Sequence, residues 1–309
     1  MIADRSNPLR GIAMKITSVV IFVCMQTCIK MAGHGLNPGQ ITFFRSAFAI
    51  IPIVLYLAWR GQLHGAFHTK NPLGHVRRGV IGILSMGLGF YGLVHLPMPE
   101  AIAIGYASPL FAVAFAALFL GETVRLYRWS AVLIGLVGVL IISWPKLTLF
   151  AHGDFGSEAA LGAAAVLLAA AMAAMAMIQV RLLVQEEKTA TIVLYFSIIA
   201  SFISLATIPF GWDWLEPQAV TLLILSGFCG GIAQIFLTES YRYADVSTIA
   251  PFEYTSILLG SAIAFLLFGD VPAVTMLIGT AIVVSAGIFI IWRERQLGMK
   301  RREEKMQPG

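Results

Sequence analysis

Charge is scarce in this chain: only 12% of its 309 residues are Asp, Glu, Lys or Arg. A soluble domain carries about 25%, so water is not the main solvent here, and no polar stretch is long enough to form a separate soluble domain. Cysteine is rare too. Cys24, Cys28 and Cys229 all fall inside apolar runs; Cys24 and Cys28 share a helix face, but without histidine or further cysteine they read as packing residues. His64, His68 and His75 lie near one another with no carboxylate or cysteine to complete a metal set. The chain has no HExxH, no GxSxG and no GxxxxGK[ST], which argues against a zinc peptidase, a serine hydrolase and an ATP-driven pump. No Ser/His pair sits within an apolar segment. No catalytic residue, metal or cofactor is therefore assigned. The net charge of +5 comes from basic residues scattered at segment ends, so no nucleic-acid surface is expected. The first apolar run, 12–31, lacks an A-x-A cleavage site and reads as a retained helix.

What the chain does have is hydrophobicity, 58% of residues with a mean hydropathy of +0.84. Apolar segments of about 20 residues, the length that crosses a bilayer, recur throughout. They predict an all-α integral membrane protein with ten transmembrane helices at 11–32, 40–59, 73–95, 99–120, 127–145, 158–182, 189–210, 217–241, 246–268 and 272–292. Ten crossings place both termini on one side. On that side fall all Lys and Arg except Lys30, Lys146 and the intrahelical Arg45, which marks it as cytoplasmic.

Similar residues return at an offset of 148: Gly79 and Gly82 fall on Gly227 and Gly230, Tyr106 on Tyr254, and Gly121-Glu122 on Gly269-Asp270. Several matches at one offset indicate duplication. Each half has an odd number of crossings, so the two halves insert with opposite orientation, a recurring transporter plan. The expected organisation is a cytoplasmic arm (1–10), a first five-helix repeat (11–145), an external linker (146–157), a second repeat (158–292) and a charged cytoplasmic tail (293–309).

The polar candidates centre on 241–270. Early in that crossing stand Pro251, Phe252, Glu253 and Tyr254. Pro251 removes a backbone donor and frees a carbonyl one turn earlier, a defect tolerated at membrane depth only where protein or water satisfies it. A carboxylate in hydrocarbon is costly and needs a partner or a cavity. Two readings stand: a wall of a transport pathway, or a proline kink whose Glu253 snorkels to the interface. Arg45 likewise either snorkels outward or faces the cavity, where Glu100 is a candidate partner. Gln234 and Glu239 belong to a polar patch ending helix eight. Gly79, Gly82, Gly87, Gly89, Gly227 and Gly230, with Pro251, are candidate close-packing or hinge positions. Lys30 and Gln26 in helix one and Gln179 in helix six are further polar candidates.

Arg45, the glycines of helix three, Pro99-Glu100-Ala101, Gly121-Glu122, the segment 250–254 and Phe268-Gly269-Asp270-Val271-Pro272 together resemble the drug/metabolite transporter superfamily with two EamA-like domains. The resemblance covers about residues 10–293. It implies an inner-membrane carrier built from two inverted five-helix halves that works by alternating access, as a monomer or homodimer in the lipid bilayer. The 250–254 segment with 268–272 is similar to a bacterial branch of riboflavin and S-adenosylmethionine importers. Within it, riboflavin uptake is the first expectation, with Phe90, Tyr91, Tyr106, Phe252 and Tyr254 as stacking aromatics. Arg45, Gln234 and Glu239 would supply polar contacts, and Glu253 a proton site or gate. The alternative is an exporter of amino acids, drugs or other metabolites on the same scaffold.

Overall fold

Helix starts are written into the chain. Asn37-Pro38 and Asn71-Pro72 open two helices in the same way. The Asn side chain accepts the N–H of Gly39 (2.9 Å) or Gly74 (2.8 Å), and proline, with no N–H to waste, takes the first helical position. The computed structural model describes residues 8–33, 36–108, 110–111, 114–115, 130, 133–142, 144, 158–184, 187–243, 252–253 and 255–306.

Among these residues there are ten α-helices of eight residues or more and no strand. They are α1 (Pro8–Ala32), α2 (Pro38–Trp59), α3 (Pro72–His95), α4 (Met98–Gly105), α5 (Leu133–Ile142), α6 (Glu158–Val184), α7 (Thr189–Leu205), α8 (Pro217–Tyr243), α9 (Thr255–Phe268) and α10 (Val274–Met306). By length and composition, five segments suffice to cross a membrane: Leu9–Ala32, Pro38–Trp59, Pro72–His95, Glu158–Val180 and Pro217–Ser240. Parts of α5, α7, α9 and α10 are shorter apolar helices.

The packing obeys the duplication. α1 lies along α8, and its counterpart α6 lies along α3. α2 packs on α8 as α7 packs on α3, and α1 meets α9 as α6 meets α4. Three pairs match themselves: α2 with α7, α4 with α9, and α5 with α10. This is the pattern of two interlocked halves related by a pseudo-twofold axis.

Lipid gives no hydrophobic drive between helices, so close approach rests on small residues. A Cβ on Gly92 of α3 would stand 2.1 Å from Val166 Cγ2 and 2.9 Å from the Gly162 carbonyl of α6. Gly138 of α5 and Gly279 of α10 each face the other's carbonyl, at 2.8 and 2.5 Å from an added Cβ. Outward, Leu55, Leu84, Phe202, Leu258 and Leu266 are exposed, as lipid-facing residues are; Trp59 and Trp214 stand exposed at or near helix ends, and Trp292 is exposed where the apolar part of α10 gives way to its charged part.

Some boundaries differ from the expectation. Helix four, expected over 99–120, pauses after Gly105 in a turn at Tyr106. Helix seven stops at Leu205 rather than 210; Pro209 lies in a 3-10 turn that Gly211 ends at φ +94, a conformation open to glycine. In helix nine, Phe252 and Glu253 form a 3-10 turn and the α-helix begins at Thr255. α10 continues through the charged tail to Met306, since Arg, Glu, Lys and Gln are good helix formers.

Candidate functional site

At the start of α9 the polar groups are tied to the other half. The Phe252 and Glu253 carbonyls are taken by the hydroxyls of Thr255 (2.6 Å) and Ser256 (2.7 Å). Tyr106, where α4 ends, reaches the Ser256 hydroxyl at 2.6 Å and the Glu253 carbonyl at 3.4 Å. The Glu253 carboxylate meets the ammonium of Lys15 on α1. Lys15 is 3% exposed and Glu253 46%, so Glu253 holds a buried counter-ion and also faces open space. Lys15 carries no sequence mark of this role. It stands among the basic residues ahead of and within the first turns of α1, where charge reads as topology.

A second polar locus lies between α2, α7 and α8, in a narrow crevice lined by Ile53, Tyr56, Ala190, Val193, Ile235 and Glu239. Glu239 is 7% exposed and accepts the Tyr56 hydroxyl at 2.8 Å. Gln234, on the same helix, is partly exposed, its carbonyl accepting the Thr238 hydroxyl at 2.6 Å.

Arg45 does not snorkel. It is 5% exposed, its guanidinium 5.8 Å from the Phe196 ring centroid, and it pairs with no carboxylate among the described residues, Glu100 included. Arg78 of α3, which the sequence groups with the cytoplasmic charges, lies over the same ring at 4.3 Å. Glycines make the room: an added Cβ would stand 3.0 Å from Arg45 Nε at Gly230 and 2.0 Å from Arg78 Nη1 at Gly82.

The other candidates separate. Tyr91 stacks on His95 at 4.2 Å, within its own helix. Gly79 packs on Ile199 and Gly227 on Phe48 and the Phe44 carbonyl, whereas Gly87 has open space and Gly89 only an ordinary contact with Ala169. Tyr254 and Pro251 lie outside the described residues. Lys30 caps α3: its ammonium donates to the carbonyls of Leu93, Val94 and Leu96 at 3.1, 3.3 and 2.5 Å, satisfying groups a helix end leaves open. Among the described residues no group of His, Cys, Asp and Glu is arranged to hold a metal ion.

The profile of the EamA-like transporter family matches residues 9–144 and again 160–293. The S-adenosylmethionine uptake transporter of Rickettsia prowazekii is 26% identical over 297 residues, covering 96% of this chain and 97% of that one. The pseudopaline exporter CntI of Pseudomonas aeruginosa is 28% identical over 282 residues (90% and 94%). The riboflavin transporter of Vibrio cholerae is 28% identical over 305 residues (96% and 98%). A solved crystal structure shares the fold, with a TM-score of 0.66 and 18% identity over 93% of this chain and 98% of that one. Matched twice along its length, the chain belongs to the EamA-like transporter family and is a multi-pass membrane transporter rather than an enzyme.

Proposed function

We propose that this chain is a secondary transporter of the bacterial inner membrane, both termini cytoplasmic, that imports a small charge-bearing metabolite of the S-adenosylmethionine type by alternating access. The observation that carries the reading is the charge held between the helices. Lys15 and Glu253 join α1 to the start of α9, and Arg45 lies buried between α2, α7 and α8. Charged groups at membrane depth mark substrate and ion pathways, and S-adenosylmethionine offers a carboxylate, an ammonium and a sulfonium to such groups. Glu253 is suited to act as the gate, because its partly exposed carboxylate can exchange Lys15 for a cation of the substrate or for a proton.

Riboflavin uptake is the second reading. It is favoured by the Vibrio cholerae relative and by a Rhizobium johnstonii riboflavin transporter, 29% identical over 299 residues. The aromatic argument for it is weaker than the sequence suggests, because Tyr91 is stacked on His95 and Tyr106 is tied to Ser256.

The test is uptake of labelled S-adenosylmethionine and labelled riboflavin, side by side, by bacteria expressing this chain. Saturable S-adenosylmethionine uptake, blocked by excess unlabelled compound, is the expected result. Riboflavin uptake alone moves the assignment to the second reading. Neither, with insertion confirmed, overturns import and directs the assay to efflux.

A further inference from the structure

Arg45 and Arg78 are two cations in search of an anion. Arg45 is 5% exposed, and its Nε, like Nε and Nη1 of Arg78, is shut off from solvent with no hydrogen-bond partner. Both guanidinium groups lie against one ring, Phe196, at 5.8 and 4.3 Å. A guanidinium does not shed its proton to escape such a site. An aromatic face offsets only a small part of what it costs to take two like charges out of water.

The acidic groups near these helices are engaged elsewhere: Glu253 with Lys15, Glu239 with Tyr56, and Glu187 with Thr69 and the backbone at 70–71. Neither arginine makes an ion pair among the described residues. Among the described residues, what the site lacks is negative charge.

The fold spends small residues on this arrangement. Gly82 leaves space for both the Arg78 guanidinium and the Phe196 ring edge, and Gly230 leaves space for Arg45. These are the glycines that coincide in the duplication, one from each half, and each seats an arginine of the first half. α2 and α3 are successive antiparallel helices, and each arginine lies about two turns in from its helix start. The two side chains therefore converge on Phe196 from opposite faces of the membrane. The crevice lined by Tyr56, Val193 and Glu239 runs between the same helices α2, α7 and α8. From it, Arg45 is about two turns further along α2 and Phe196 about one turn along α7.

We propose that Arg45 and Arg78 form a two-arginine clamp for an oxyanion of the transported metabolite, a carboxylate or a phosphate, with Phe196 as its floor. This deepens the transporter reading and rests on it. Because the arginines approach from opposite faces, an anion held between them engages one more strongly when the pathway opens outward and the other when it opens inward. Differential contact of that kind is what a ligand needs to shift a conformational equilibrium.

The test is thermal unfolding of the purified full chain, with ligands in matched pairs: S-adenosylmethionine against its decarboxylated analogue, flavin mononucleotide against riboflavin, and inorganic phosphate alone. The expected result is stabilisation by the oxyanion-bearing member of a pair, or by phosphate. Half-saturation should weaken by at least about tenfold in Arg45→Gln and Arg78→Gln, with Arg78→Lys retaining part of the preference. Without ligand, both Gln variants should unfold at a higher temperature than the parent, since each removes one of two unneutralised charges. The clamp is overturned if the parent shows no preference for any oxyanion, or if both Gln variants keep that preference. It is also overturned if both unfold earlier than the parent without ligand, which would make the arginines structural. Binding needs no turnover, so a failed uptake assay alongside a retained oxyanion preference would overturn import and leave the clamp standing.

Discussion

The Lys15 ammonium and the Glu253 carboxylate form an ion pair whose two ends are unequally buried, 3% and 46% exposed. The asymmetry fixes how the pair responds to mutation. Glu253→Gln takes the carboxylate away from a buried ammonium and should cost about 1–3 kcal/mol. Lys15→Met leaves a partly solvated carboxylate and should cost under about 1 kcal/mol. Thermal unfolding of both variants and the double mutant checks the order, and a costlier Lys15→Met would show that burial does not govern this pair. In transport, Glu253→Gln should flatten the pH dependence of uptake; an unchanged profile at every pH removes Glu253 as a gate.

Tyr106 and Ser256 couple the halves where α4 ends and α9 begins, at 2.6 Å. A double-mutant cycle of Tyr106→Phe and Ser256→Ala should return a coupling of about 0.5–1.5 kcal/mol. The Ser256 hydroxyl also bonds the Glu253 carbonyl, so both variants should disturb the Lys15–Glu253 pair and lower the uptake rate. Additive effects on stability would mean that the contact carries no coupling.

The helices and the duplication were legible because each is a pattern along the chain: a run of about 20 apolar residues, or a fixed offset. The partners of the charges were not. Lys15 meets a carboxylate 238 residues away, and a lysine near the start of a first helix looks the same whether it faces lipid headgroups or an interior acid. Arg77 and Arg78 form one basic pair in sequence, but successive residues on a helix point about 100° apart; Arg77 is exposed while Arg78 turns its guanidinium onto Phe196. Lys30 reads as an external charge and is a cap for α3, because the helix end it serves lies in another segment.

The glycines read as close-packing or hinge positions should not behave alike. At Gly227 an added Cβ would lie 2.5 Å from Phe48 Cβ and 2.8 Å from the Phe44 carbonyl. Backbone cannot move aside as a side chain can, so Gly227→Ala should cost about 1–3 kcal/mol by forcing α2 from α8. At Gly87 an added Cβ meets nothing within 4 Å, and Gly87→Ala should be neutral or stabilising by up to about 1 kcal/mol from helix propensity. Unfolding temperatures of the two variants decide it; equal losses would mean that helix spacing is not set by these contacts.

At the junction of α6 and α7, Glu187 works as a clasp on the α2–α3 loop. Its carboxylate accepts the Thr69 hydroxyl (2.6 Å) and the N–H groups of Lys70 (2.6 Å) and Asn71 (3.3 Å), with His75 Nε2 at 3.9 Å. Desolvation pushes its pKa up, but the donors and His75 outweigh it and hold the carboxyl below its usual range. A carboxyl whose folded pKa is depressed adds stability that is complete above its unfolded pKa, about 4.3, and is lost as pH falls through the folded value. Glu187→Gln should therefore be less stable than the parent at pH 7, by about 1–3 kcal/mol. The gap should close as the pH is lowered below about 4. Unfolding of both proteins between neutral and acid pH is the measurement. A gap that stays constant down to the acid limit would assign the loss to packing rather than to the charge of Glu187.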